Sequence, residues 1–71
     1  MEAVVTISTV TLEEFCDRLI EYRQGNVEDA LRDFFRLMGQ KDPDACHIAS
    51  VHSSDEVEAE LTRAVQRYRD G

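Results

Sequence analysis

LEEFCDRLIEYRQGNVEDALRDFFRLM, residues 12–38, carries two successive apolar stripes at helical spacing with one short polar break between them. In the first, Leu12, Phe15, Cys16, Leu19 and Ile20 fall at i, i+3, i+4, i+7 and i+8, with Tyr22 on the flank. In the second, Val27, Ala30, Leu31, Phe34 and Phe35 repeat that template, and Leu37 and Met38 continue it. At about 100° per residue each stripe spans roughly 160°. A surface helix needs a stripe of only about 100°. The surplus width calls for a second partner surface, and a copy of the same chain is the simplest one. Ile20, Tyr22, Phe35 and Leu37 lie at the stripe edges and are the residues expected at a dimer interface.

The break reads as a tight connection. Gly25 provides the left-handed backbone that stops a helix, and Asn26 caps the next one. A connection this short makes the two helices antiparallel neighbours. The expected helices are Leu12–Arg23 and Val27–Met38, the second stopped by Gly39 as another glycine just past a helix end. Thr11 with Glu14 forms a capping box at the start of the first, and Ser53 with Glu56 forms one before a third helix over Asp55–Arg69. Acids gather at the start of that third helix and bases at its end, complementing the helix dipole. Its face of Val57, Leu61, Ala64, Val65 and Tyr68 suits a lid over the hairpin.

Two segments remain. Ala3–Val10, AVVTISTV, is β-branched almost throughout and predicts a strand. A strand needs a partner for its backbone groups, so it pairs either with residues 46–51 (CHIASV) or with its own copy across a dimer. For 46–51 two readings compete. Asp42 can cap a short helix with Pro43 at its first position, or the segment is a strand. The strand is preferred here because it gives the N-terminal one a partner. The fold class is therefore mainly α: a helical hairpin, a third helix and a minor strand, in one small domain over residues 1–71.

Composition narrows function. The net charge is −7, from fifteen acids against eight bases. That repels nucleic acid and anionic lipid, whose binding rests on clustered Lys and Arg. No segment approaches the roughly 18 apolar residues of a membrane span, and no secretory leader is visible. A cytoplasmic chain with two free thiols is expected. A chain of 71 residues sits near the lower limit of independent stability, which again favours a partner subunit.

No chemistry-bearing constellation emerges. Cys16, Cys46, His47 and His52 are the available soft ligands, but none sits at a zinc-site offset. His47 and His52 are separated by about 140° on a helix and face opposite sides of a strand. Cys46 beside His47 is the one suggestive nucleophile–base pair, and sequence neighbours diverge. No catalytic residue, metal or cofactor is assigned. The expected function is binding and modulating, most simply inhibiting, another protein as a homodimer. Arg32 and Arg36, exposed bases flanking Phe35, are chosen as the partner-binding residues. Tiny acidic helical chains of this kind are common among phage- and plasmid-encoded inhibitors, antitoxins and adaptors, an analogy of size and composition carried by no motif. The alternatives are a dimeric DNA-binding regulator and an accessory, antitoxin-like subunit of a larger assembly.

Overall fold

The computed structural model describes residues 9–71, in which four helices follow one another: α1 (Leu12–Tyr22), α2 (Val27–Gly39), α3 (Pro43–Val51) and α4 (Ser54–Asp70). The N-terminal strand expected over Ala3–Val10 falls almost wholly outside the described residues, and Thr9 and Val10 have no regular structure. Each helix begins at a side-chain cap. Thr11 accepts from the Glu14 amide at 3.1 Å, Asn26 from Asp29 at 3.0 Å, Asp42 from Ala45 at 3.0 Å and Ser53 from Glu56 at 3.2 Å. Each oxygen satisfies one of the amides that a helix start leaves unpaired.

Residues 46–51 form the second half of α3, which corrects the strand preferred from the sequence. Asp42 is the N-cap and Pro43 occupies the first turn, where its missing N–H costs nothing. Ala45 and Ile48, three residues apart, drop into the core from one face. The local capping signal prevails over the need of a distant strand for a partner.

The first two interhelical stops are Schellman motifs; Gly25 is left-handed as expected but second in its turn, and Gly39 occupies another place than the sequence reading gives. After α1 the Gln24 amide donates to Glu21 and the Gly25 amide to Ile20 at 2.9 Å; Gln24 at φ 54° is the first left-handed residue, followed by Gly25 at 88°. After α2 the Lys41 amide donates to Met38 and the Asp42 amide to Leu37 at 2.9 Å. Here Lys41 holds the left-handed position at φ 61°. Gly39 is the last residue of α2 itself, not the stop that follows it.

One core joins all four helices. Phe15, Cys16, Leu19 and Ile20 from α1 meet Ala30 and Phe34 from α2, Ala45 and Ile48 from α3, and Val57, Leu61, Ala64 and Val65 from α4. Phe15 meets Phe34 edge to face, with ring centres 5.7 Å apart. The most extensive packing is between α1 and α4, and α4 also crosses α2. Val10, Leu12, Val27, Leu31, Leu37 and Met38 close the rim half-buried.

Candidate interaction surface

Two acids lie inside this mainly apolar assembly, and each is gripped by two arginines. Asp33 on α2 takes a two-pronged contact from Arg23 at the end of α1, with Nη2 2.7 Å from Oδ1, and a second guanidinium from Arg36 at 3.1 Å. The hydrogen bonds from Arg23 hold the Asp33 carboxyl below the usual carboxylate range. Glu60 on α4 is bonded by Arg63 at 2.9 Å and Arg67 at 2.6 Å. Burial alone would raise its pKa; the two arginines outweigh it and the net shift is downward. Arg67 also holds Asp17 of α1, tying α1 to α4 at the surface. These networks leave no buried side-chain polar atom without a partner among the described residues.

Neither acid was singled out from the sequence, although a signal was there. Asp33 lies about 40° from Leu37 around the helix, and Glu60 about 40° from Ala64. An acid at the margin of an apolar stripe, with arginine three residues on, is positioned to be half-covered and ion-paired.

The residues expected at an interface divide. Ile20 is fully enclosed by its own chain, so its place at an outer edge is corrected: α1 packs on α4, α2 and α3, and those neighbours cover the Ile20 side of its stripe. Leu37 is half-buried at the rim of the core. Phe35 remains 47% exposed, its ring leaning on Phe34 with centres 5.5 Å apart. Tyr22 is 72% exposed, with the Arg23 guanidinium 5.1 Å from its ring centre. Arg32 and Arg36 are exposed beside Phe35, and each is ion-paired on α2: Arg32 with Asp29 and Glu28, Arg36 with Asp33. Val51 and Tyr68 complete the set of large apolar side chains left open among the described residues.

The thiols and imidazoles do not converge. Cys16 is sealed in the core, its Sγ 3.9 Å from the Val57 carbonyl, and burial with the nearby Glu60 charge pushes its thiol up to about 12. Cys46 is exposed on α3, and His52 pairs with Glu56 at the start of α4. Among the described residues no three His, Cys, Asp or Glu side chains gather as metal ligands, and no helix is long and apolar enough to cross a membrane.

A shallow cleft of about 140 Å³ opens between α1 and α4, lined by Asp17, Glu21, Ala64, Arg67 and Tyr68. The Tyr68 ring forms its end and rests against the Gly25 turn. No known protein family, curated protein or solved structure matches the chain.

Proposed function

We propose that this chain works by binding another protein through the outer flank of α2, modulating that partner rather than carrying out chemistry of its own. One observation carries the reading. The chain closes its core and pairs its buried side-chain polar atoms among the described residues, yet Phe35 stays half-exposed on a helix whose exposed surface also carries Arg32 and Arg36. An open aromatic ring with arginines on the same helix is the composition of an interface centre rather than of ordinary surface. Inhibition is the simplest outcome of covering a partner's surface in this way. Self-association through the same flank is part of the proposal, since a second copy offers an identical apolar ring.

The DNA-binding alternative is the weaker one. Arg18, Arg23, Arg32, Arg36, Arg63 and Arg67, six of the eight bases, are engaged by carboxylates of this same chain. Arginines neutralised at home release few counterions from a phosphate backbone.

A photo-crosslinking amino acid placed at position 35 tests the proposal. The expected result is a covalent adduct, either with a second copy at micromolar concentration or with one discrete partner in the native host. Absence of any adduct, from a chain that sediments as a monomer, overturns it.

A further inference from the structure

The α1–α4 cleft shares no lining residue with the Phe35 flank and has a charge balance of its own. Arg67 is its only base, and three carboxylates draw on that one guanidinium: Glu60 at 2.6 Å, Asp17 at 2.7 Å and Glu13 at 3.9 Å. Arg63 shares Glu60, but among the described residues Glu13 and Asp17 have Arg67 as their one base at ion-pair distance. One turn beyond Asp17 on the same face of α1, Glu21 lines the cleft exposed and without a base at ion-pair distance among the described residues. The cleft therefore holds surplus negative charge, in a chain of net charge −7. An anion is disfavoured, because the Arg67 donors are already directed at carboxylates.

The opposite wall is aromatic. Tyr68 is 43% exposed, and the inner side of its ring faces the Gly25 turn, where ring carbons would lie 3.5 and 3.6 Å from a Cβ added to the glycine. A ring fixed in place loses little freedom when a ligand stacks on it. At about 140 Å³ the space suits a single side chain, whereas small-molecule pockets usually run from about 300 Å³.

We infer that this cleft receives an arginine side chain from a partner protein, its guanidinium lying against the Tyr68 ring and donating to the Glu21 carboxylate. A planar guanidinium stacks on a ring and donates from its edge in the same plane, a geometry that a compact ammonium group does not offer. Asp17, held in place by Arg67, adds a second negative centre without moving. The inference rests on reading the chain as a protein-binding module, and it supplies that module with a second contact and a partner chemistry: a basic segment presenting arginine.

The test is an amide-resolved NMR titration of the full chain with acetyl-Gly-Arg-Gly-amide and its citrulline counterpart, which keeps the shape and loses the charge. The arginine peptide is expected to shift amides around Asp17, Glu21, Ala64 and Tyr68 saturably, with Kd on the order of 1 mM for one side chain. Citrulline should bind about tenfold more weakly, a neutral group replacing a charge-assisted contact. Glu21→Gln should weaken arginine binding about threefold or more with an unchanged melting temperature, while Glu58→Gln leaves it unaltered. Shifts spread evenly over the acidic surface, equal binding of citrulline, or an unaffected Glu21→Gln variant each overturn the inference. The titration is independent of position 35: a chain that crosslinks there but lacks the peptide site defeats the cleft alone, and a chain that binds the peptide but never crosslinks defeats the α2 flank alone.

Discussion

Helices α1 and α2 carry the same apolar template, yet α1 buries Phe15, Cys16, Leu19 and Ile20, whereas α2 buries only Ala30 and Phe34 of its apolar residues. The difference comes from their neighbours. Each of the two packs against the other three helices, but the α1–α4 contact is by far the most extensive, and it covers the α1 stripe from Phe15 to Ile20 while Tyr22 stays open. α2 meets α4 and α3 less extensively, so its cover stops short of Phe35, and Leu37 and Met38 are only half-buried. Stripe width counts the surfaces a helix needs. It does not say whether they belong to the same chain.

Breaking the more buried stripe has the largest effect. Ile20→Ala is expected to cost about 3 kcal/mol, the usual loss for an enclosed aliphatic side chain that leaves a cavity. In a chain this small that is a large share of total stability. Urea unfolding followed by circular dichroism measures it. A cost below about 1 kcal/mol would put Ile20 at an open edge after all, and return α1 to the role its stripe width suggests.

The margins of α2 and α4 differ from that of α1 in carrying buried acids, and protons probe this difference. Asp33 and Glu60 have carboxyl pKa values below their ordinary range, held there by Arg23 and Arg36 in one case and by Arg63 and Arg67 against burial in the other. A depressed folded pKa stabilises the fold fully above the unfolded value of about 4, and that contribution is lost as pH falls through the folded value. The melting temperature should therefore be flat from about pH 7 to 5 and fall below about pH 4. Asp33→Asn with Glu60→Gln should remove roughly 1–2 kcal/mol at neutral pH and flatten the acid limb. A double variant with an unchanged acid limb would show that these two pairs do not set it.

The helices of the hairpin and of the C-terminal segment were legible in the sequence because periodicity and capping agree there. Thr11, Asn26 and Ser53 cap as their side chains suggest, and Val57, Leu61, Ala64 and Val65 of α4 point inward, while Tyr68 of the same expected face stays open. α3 was misjudged for a physical reason. Its nine residues bury only Ala45 and Ile48, too little for a stripe to stand out, so its identity rests on Asp42-Pro43 alone. The cleft was not legible, because Asp17, Glu21, Arg67 and Tyr68 meet across a distance in sequence that no local spacing encodes.

The two glycines sharpen the comparison of the helix ends. Gly25 has φ 88° and the Tyr68 ring beside it, so Gly25→Ala should destabilise by about 1 kcal/mol. Gly39 is helical with open space around its Cα, so Gly39→Ala should stabilise by about 0.5–1 kcal/mol. Lys41→Gly, relieving a left-handed lysine at φ 61°, should add a similar gain. Thermal melts resolve all three signs. A destabilising Gly39→Ala would place a left-handed residue at position 39 rather than 41.

The smallest effect on stability should come from the open side of α2, and it decides what that side is for. Phe35→Glu removes a ring already half in water, and its contact with Phe34 is the main packing at stake. A folded monomer should therefore lose about 0.5 kcal/mol or less at micromolar concentration. The new carboxylate also sits three residues from Arg32 on the same helix, a spacing that offsets part of that loss. If the flank only rounds off the monomer, both stability and sedimentation will match the wild type. If two copies meet there, the wild type should sediment as a dimer, and the variant should give a monomer whose stability no longer rises with concentration. The combination expected from the proposed function is a near-neutral effect on the isolated fold and loss of association. A variant that unfolds as a monomer would instead show Phe35 to be core, and α1 and α2 would differ less than their burial implies.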